Sequence, residues 1–264
     1  MCTLLWAEYR KLRRSNIVWI TIFATVLLAI IVFAEGQGIH DGPDVQYGLK
    51  VVYEGSRYID NAGWYMDEAQ PLATMFVLPA VISLLGSYMI CREEEDDTMK
   101  SLRLIPVDEG KLVAAKMMIA FVFSVLLYLL LFSITFLTEA LLHFSDLSVE
   151  LVLSCMKEYL LDGIGVFLAI SPIIAVVPCM KKSYWLALVF TELYSIAGLF
   201  AGMSSRLLYL YPIDAIFNLS GYHITTIGKK IVSILVLLLC GCLSVLLLKG
   251  CLLYTSPSPR DVEE

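Results

Sequence analysis

The densest group of side chains able to do chemistry is the acidic run EEEDD at residues 93–97. Paired glutamates can transfer protons or hold a catalytic metal ion, as an intramembrane protease would require. A metal site would also need histidines at helical spacing, yet His40, His143 and His223 are scattered along the chain. We therefore favour the simpler interpretation that these acids begin a surface helix, where the helix dipole stabilises negative charge.

Other patterns that bind cofactors or form nucleophiles are absent from the sequence. Gly228-Lys229-Lys230 is followed by no Ser or Thr, so it is not a phosphate-binding Walker A loop. Neither GxSxG nor HExxH occurs, and the seven cysteines include no CxxC pair. Most of these cysteines lie in or beside apolar stretches, where they act as small packing residues. We predict that the chain binds no cofactor or metal of its own and is not an enzyme.

The elements that must position these residues are apolar stretches long enough to cross a bilayer. Of the 264 residues, 59% are hydrophobic, and the mean hydropathy is +0.78. Soluble domains contain about 45–50% apolar residues, so the composition indicates an all-α polytopic membrane protein. We predict one membrane domain over residues 1–251. Its six predicted spans are residues 17–34, 71–90, 113–137, 159–177, 184–203 and 231–248.

Shorter segments flank these spans. Residues 3–14 place apolar and basic side chains on opposite sides, which predicts an interfacial helix, and residues 35–70 read as a polar outer loop. Residues 17–34 exceed the usual signal-peptide core of about 7–15 residues, so a span is favoured over a signal peptide. Residues 204–228 predict re-entrant or interfacial helices before the sixth span. Residues 252–264 resemble translated sequencing-adapter sequence, and we expect a non-native or disordered tail.

The loop between the second and third predicted spans has a helical pattern of its own. Thr98, Leu102 and Ile105 recur at three- and four-residue spacing, and Pro106 ends the run. A segment this charged cannot lie in hydrocarbon. The pattern predicts a short amphipathic helix over residues 93–105, lying on one membrane face.

The order of residues in this loop resembles the first cytoplasmic loop of type-two ABC exporter permeases. The closest likeness is to permease subunits of the lantibiotic-immunity and bacitracin-resistance kind, and the six-span layout extends it over most of the chain. In that family the loop is a coupling helix, which docks on a separate ATPase and passes on its opening and closing. Asp97 and Glu109 depart from the family pattern. The resemblance implies an ATPase-coupling role for Glu94, Thr98, Lys100, Leu102, Ile105, Pro106 and Lys116.

The same resemblance implies the partners. The chain would assemble as two copies, or with a homologous permease, together with ABC ATPase subunits that bind ATP and Mg. The implied substrate is an amphipathic peptide antibiotic or another lipid-associated molecule. Membrane lipid is the surrounding partner. We expect no nucleic-acid partner, because the sequence has no basic runs interleaved with exposed aromatics.

Glu192 stands in the middle of the fifth predicted span, near the glycine pair Gly198 and Gly202. A charged carboxylate at that depth costs about 2.5–3.5 kcal/mol, so it should face protein or a wet cavity, or be protonated. The glycine spacing allows close approach of another helix. We place Glu192 on a possible transport path. Glu192 is the convincing charge within a predicted span, so it also supports an alternative function, that of a secondary transporter. The intramembrane enzyme considered above is the other alternative.

The orientation follows from the distribution of basic residues. With the N terminus inside, thirteen of the 19 lysines and arginines fall on the cytoplasmic side and six on the outer side. This is the direction that the positive-inside rule requires. We therefore predict a protein of the bacterial cytoplasmic membrane with both termini in the cytoplasm.

This topology is tested by cysteine accessibility after the native cysteines are replaced. Single cysteines at Gly48 and Ser145 should react with an impermeant reagent in intact cells. Cysteines at Ser101 and Lys181 should react only after the membrane is opened. Labelling of position 101 in intact cells would reverse the orientation.

Overall fold

Every regular element in the described part of the chain is helical. The computed structural model describes residues 2–39, 51, 53, 55, 57–95, 109–177, 184–204, 207–223 and 225–255. A 3₁₀ turn covers Tyr58–Asp60 and a π-helical turn covers Ala73–Val77. The α-helices are α1 Cys2–Arg13, α2 Asn16–Gly36, α3 Trp64–Leu72, α4 Leu78–Glu95, α5 Glu109–Leu142, α6 Val149–Val176, α7 Trp185–Gly202, α8 Pro212–Ser220 and α9 Ile227–Thr255.

Six helical segments are long and apolar enough to cross a membrane, which confirms the predicted all-α polytopic fold. The second consists of α3, the π-helical turn and α4 in succession. The six segments are Asn16–Gly36, Trp64–Glu93, Glu109–Leu142, Val149–Val176, Trp185–Gly202 and Ile227–Gly250.

The second span begins at Trp64, earlier than the predicted start at Pro71. Trp64 and Tyr65 were assigned to the polar outer loop, but both are buried, and the Tyr65 ring lies 5.7 Å from that of Phe33 on α2. Gly36 makes this approach possible, because a Cβ there would overlap the Trp64 indole ring. Contacts with α2 therefore extend the helix beyond what its own hydropathy predicts.

The fourth span is one continuous helix, α6, although Pro172 lies inside it. Proline has no N–H, so Pro172 leaves the carbonyl of Leu168 without its helical partner. The hydroxyl of Ser171 donates to that carbonyl at 2.9 Å. The side chain thus replaces the missing backbone bond, as the absence of water in hydrocarbon requires.

The last helix also runs further than predicted. Helix α9 continues to Thr255, past the predicted tail boundary at residue 252. Leu252, Leu253 and Tyr254 are apolar and carry no helix-breaking residue, so the helix persists until the Ser-Pro repeat begins. Residues 256–264 of the predicted tail lie outside the described residues.

Helix α6 lies at the centre of the bundle and packs against α4, α5, α8 and α9. Tyr159, Val166 and Ile170 are buried along its length. Helix α8 lies between α7 and α9, with Ile213, Ile216 and Phe217 buried. The glycines of α7 accommodate α8: a Cβ on Gly198 would meet Tyr211 and Ile213, and one on Gly202 would meet Asp214. In this chain the close neighbour of the glycine pair is therefore α8.

A buried carboxylate from α5 caps the start of the second span. Glu139 accepts hydrogen bonds from the backbone N–H groups of Gly63 at 3.1 Å and Tyr65 at 2.8 Å. It also lies 3.0 Å from Nδ1 of His143. The first N–H groups of a helix have no partner within the helix, and they attract negative charge. Glu139 therefore fixes where α3 begins.

Asp214 on α8 is a second buried carboxylate, near the same end of the bundle. Only 2% of the residue is exposed, and its Oδ2 atom has no hydrogen-bond partner among the described residues. Burial raises the pKa of Asp214 from 3.8 to about 7. The carboxyl group is thus held largely in its protonated form below neutral pH.

We expect Glu139→Ala to lower the free energy of unfolding by about 2–4 kcal/mol, because two buried N–H groups lose their acceptor. Glu139→Gln keeps an acceptor oxygen and should cost less. The measurement is thermal unfolding in detergent. Glu150→Ala, at an exposed acid in the first turn of α6, is the matched control. Equal melting temperatures for Glu139→Ala and wild type would contradict the capping role.

Asp214 should make stability depend on pH. Between about pH 4 and pH 7 the unfolded chain has lost this proton while the folded chain keeps it, so the free energy of unfolding falls as pH rises and levels off above about 7. We expect Asp214→Asn to remove this component and to raise the melting temperature at pH 8 by a few degrees. The exposed Asp146→Asn should leave the profile unchanged. Identical profiles for Asp214→Asn and wild type would show that the burial is not maintained.

Candidate functional site

The predicted coupling loop joins the end of α4 at Glu95 to the start of α5 at Glu109. Most of the residues that the resemblance singles out fall in this connection or at its edge. Glu94 lies in the last turn of α4. The sequence predicts that a surface helix begins at Glu93, but residues 93–95 continue α4, and Glu93 is buried because it pairs with lysines of two other helices. Thr98, Lys100, Leu102, Ile105 and Pro106 lie outside the described residues.

Lys116, the remaining residue of that set, is buried in the second turn of α5 and only 2% exposed. Its ammonium group forms a salt bridge with the carboxylate of Glu93 and donates to the carbonyl of Met89 at 2.6 Å. Both partners belong to the last turns of α4. A buried ammonium is tolerated only when it is paired in this way. Lys116 therefore ties the start of α5 to the end of α4, at the base of the predicted coupling loop.

The N-terminal helix joins the same group. Lys11 on α1 reaches Glu93 Oε1 at 3.1 Å and Glu8 Oε1 at 2.7 Å. Glu8 and Glu93 are each 4% exposed. We call Glu8, Lys11, Glu93 and Lys116 the basal cluster, because Glu93 and Lys116 lie on the two helices that the predicted coupling loop connects. In it the Glu93 carboxylate is shared between two lysines from different helices.

Two further contacts reinforce the link between α1 and α4. The Arg92 guanidinium lies 5.7 Å from the ring of Tyr88 and donates to the carbonyl of Lys11 at 3.4 Å. Ser15, which caps α2, donates to the Tyr88 hydroxyl at 3.0 Å. The interfacial helix predicted at residues 3–14 is thus attached to the base of the loop. Its aromatic residues Trp6 and Tyr9 remain exposed.

The basal cluster holds the two ends of the predicted coupling loop in a fixed relation. Removing one member of a buried ion pair costs about 3–5 kcal/mol, because the other charge is left without compensation. A displacement of the loop would therefore move α1, α4 and α5 together. Sequence reasoning singled out Lys116 but missed the roles of Glu8 and Lys11. The sequence offered one indication of this role, because Glu8 is the one acid among the basic residues of α1.

Glu192 is half-buried on α7. It is not near the basal cluster in the chain or in its contacts. Its helix is joined to α4 by Thr191, which donates to the Ser83 hydroxyl at 2.7 Å, and Ser83 donates to the carbonyl of Ala187 at 3.2 Å. The role of Glu192 in a transport path stays a prediction.

Asp162 is an intramembrane carboxylate that sequence reasoning overlooked when it chose Glu192. It is fully buried in α6, and its Oδ2 accepts from Gln70 Nε2 at 2.7 Å and from Thr74 Oγ1 at 3.1 Å. Tyr128 donates in turn to Thr74 at 3.1 Å. These four residues, the central polar network, join the second, third and fourth spans. The sequence did indicate this site, because Asp162 is an acid three residues inside the predicted span 159–177.

Thr74 lies in the π-helical turn of the second span. Such turns are rare and occur often at functional sites, because the extra residue changes the direction of nearby side chains. Here the turn contributes Thr74 to the central polar network, and α4 continues from it to the basal cluster. The second span thus connects the two polar groups of the bundle directly.

The groups described here offer no catalytic arrangement. No group of three or more His, Cys, Asp or Glu side chains able to hold a metal ion occurs within the described ranges. Glu93 joins three helices through Lys11 and Lys116, and Asp162 joins the second and fourth spans through Gln70 and Thr74. These polar contacts position the helices relative to one another.

Comparison with known proteins agrees with this arrangement. Residues 4–198, nearly three quarters of the chain, match the family described as ABC-2 family transporter protein. Over 116 residues the chain is 26% identical to the bacitracin transport permease protein BCRB of Bacillus licheniformis, covering 44% of this chain and 55% of that protein. The chain thus spans about half the length of this curated relative. The family resemblance seen in the loop is confirmed: the chain belongs to the ABC-2 transporter family and is an integral membrane protein.

Proposed function

We propose that this permease exports an amphipathic peptide antibiotic, or another lipid-associated molecule, with energy from a separate ABC ATPase. The ATPase binds ATP and Mg and docks on residues 93–105. Two permease subunits, identical or homologous, form the membrane part of the complex. Both termini lie in the cytoplasm of a bacterium, and the chain lies in its cytoplasmic membrane.

The observation that carries this proposal is the basal cluster. Glu93 on α4 is bonded to Lys116 on α5 and to Lys11 on α1, so the two helices that the proposed docking segment connects are held together. When the ATPases close on ATP, the docked segment is displaced. Because the cluster is buried and its charges compensate one another, it moves as a unit instead of separating. The displacement therefore enters the membrane through α4 and α5.

Two contacts pass the movement onward within the bilayer. Helix α4 is bonded to α7 through Ser83 and Thr191, next to Glu192. Gln70 on α3 and Thr74 in the π-helical turn are bonded to Asp162 on α6. A displacement of α4 thus acts on both the fifth span and the central helix. This is the rearrangement that would open a path for the substrate.

Two observations support the proposed substrate class. The relative from Bacillus licheniformis is described as a bacitracin transport permease, and bacitracin is a peptide antibiotic. In addition, the fifth span exposes Leu193, Ile196 and Phe200 on the side away from the bundle. An amphipathic substrate would approach such a surface from the lipid. Glu192 lies at the edge of this face, which agrees with its proposed place on the transport path.

Family membership supports one of the alternatives raised by the sequence. A secondary transporter using Glu192 and an intramembrane enzyme both remain chemically conceivable from isolated residues. The ABC-2 family instead indicates a transport subunit. ABC permeases take their energy from a partner ATPase, so Glu192 needs no role in ion coupling.

The experiment separates docking from coupling. The chain is co-expressed with the ABC ATPase encoded beside its gene, and we measure co-purification, ATP turnover and transport. Leu102→Asp should abolish co-purification, because burial of a leucine contributes about 1.5–3 kcal/mol. Lys116→Met should keep the complex but reduce transport per ATP at least tenfold. Exchange of the pair, as Glu93→Lys with Lys116→Glu, should restore part of the coupling.

The matched control is Lys157→Met, at an exposed lysine in the first third of α6. This variant should behave like wild type. Normal co-purification of Leu102→Asp would contradict docking at residues 93–105. Normal transport per ATP in a stably folded Lys116→Met variant would contradict transmission through the basal cluster.

A further inference from the structure

An apolar groove lies between the N-terminal helix α1, the first turn of α2 and the first half of α5. It has a volume of about 540 Å³. Its lining includes Trp6 and Tyr9 of α1, Val18 of α2, and Val122 and Leu126 of α5. All of these except Val18 are exposed, so the groove opens on the surface of the bundle. The proposed transport cycle does not use it.

One charged side chain, that of Arg13 at the end of α1, is among the described residues that line the groove, and none of these residues is acidic. Arg13 is exposed. The one acid of α1, Glu8, is bonded to Lys11 instead. Within the described part of the chain, Arg13 therefore has no carboxylate partner. The groove combines a hydrocarbon-like lining with an uncompensated positive charge.

A second guanidinium group, that of Arg10, stands beside the groove. It lies over the ring of Trp6, 5.2 Å from the ring centroid. A guanidinium stacked on a ring keeps the N–H donors at its edge available for an acceptor. Arg10 and Arg13 are three residues apart on one helix, so their like charges repel unless an anion lies near both. The two arginines therefore favour an anion at the groove.

The arginines lie at the membrane surface. Arg13 precedes by three residues Asn16, where the first membrane-spanning segment begins. It also stands two residues from Lys11, which the basal cluster ties to the end of α4 and the start of α5. The charged side of the groove is therefore at the level where three helices enter or leave the bilayer.

The apolar side of the groove extends from there into the bilayer. From Met118 to Leu126 the axis of α5 rises about 12 Å, at 1.5 Å per residue. Leu126 stands at the midpoint of α5, which spans Glu109–Leu142. The hydrocarbon core is about 30 Å thick, so one leaflet accounts for about 15 Å. The groove thus has the length of an acyl chain region in a single leaflet.

From this geometry we propose that the groove between α1, α2 and α5 binds one anionic phospholipid. An acyl chain lies along the apolar lining, and the phosphate group accepts hydrogen bonds from Arg10 and Arg13. Each arginine near an anionic lipid strengthens binding about fivefold, so the pair favours an anionic over a zwitterionic headgroup about thirtyfold. The bound lipid fills the space between the N-terminal helix and the third span.

A second copy of this chain fits the groove less well. A symmetric contact brings the same surface from both copies together, so the arginines of one copy would meet those of the other. A helix docking in a different orientation would have to supply an acid near Arg13. Of the exposed apolar helices, α7 carries Glu192 in its middle and α9 contains no acid. Charge complementarity therefore favours the lipid.

The test uses the purified full chain and native mass spectrometry with dioleoylphosphatidylglycerol or dioleoylphosphatidylcholine as the probe. Wild type should retain one phosphatidylglycerol, with an apparent affinity about thirtyfold above that for phosphatidylcholine. Arg13→Gln should lower the affinity for phosphatidylglycerol about fivefold, and Arg10→Gln/Arg13→Gln should bind both lipids equally. Val18→Phe and Val122→Phe narrow the groove from two different helices. Each should weaken retention of either lipid about tenfold, because the ring displaces about two methylene groups of the acyl chain.

The controls match these changes. Arg14→Gln removes the same charge from an exposed arginine that does not line the groove, and Val189→Phe places the same ring on an exposed residue of α7. Both should retain lipid like wild type.

Three results would overturn the proposal of a lipid site. Wild type could retain the two lipids equally, or both groove-narrowing variants could retain them unchanged. An equal loss in Arg14→Gln and Arg13→Gln would show general attraction of lipid to a basic helix instead of a site. A loss of dimers in Val122→Phe with lipid retention intact would also contradict it, because the occupant would then be a second copy.

Discussion

The burial of Lys116 beneath a charged loop is the constraint on which the rest of this structure depends. An ammonium group in the interior must be paired, and the partner available to it is the carboxylate of Glu93 together with the carbonyl of Met89. That requirement sets the register of α5 against α4. Since Glu93 also accepts from Lys11, it sets the position of α1 as well. One carboxylate thus determines how three helices meet at the proposed ATPase-facing end.

The remaining polar groups follow from the same rule applied to hydrocarbon, where water cannot satisfy a donor or acceptor. Ser171 replaces the bond that Pro172 cannot make to Leu168. Glu139 receives the N–H groups at the start of α3, and Asp162 receives Gln70 and Thr74. Each bond joins a backbone or side-chain group to its nearest available partner, and most cross from one helix to another. The polar bonds therefore determine which helices are neighbours, while apolar packing alone would permit several arrangements.

The sequence was sufficient for features that depend on local composition. Runs of about 20 apolar residues predicted six spans, and the loop pattern indicated the family correctly. Features that depend on partners distant in the chain were missed. The predicted start of the second span is too late, because Asp67, Glu68 and Gln70 lower the hydropathy of its first turns. Burial against other helices stabilises those turns. The basal cluster was missed for a similar reason, because Lys11 and Glu93 are separated by 82 positions.

The distribution of burial indicates which helices transmit movement. Within an apolar stretch of 18 residues in each span, the buried share of residues is 72% in the second span and 61% in the fourth. In the sixth span it is 17%. The proposed coupling loop begins at the end of the second span, so a force applied there acts first on the most deeply packed helix. Close-packed interiors transmit displacement because they have little free space to absorb it. A loop attached to the lipid-facing sixth span would instead move one helix against fluid lipid. The basal cluster lies at the end of the most buried span, so under the proposed mechanism a displacement of the coupling loop would act on the whole bundle.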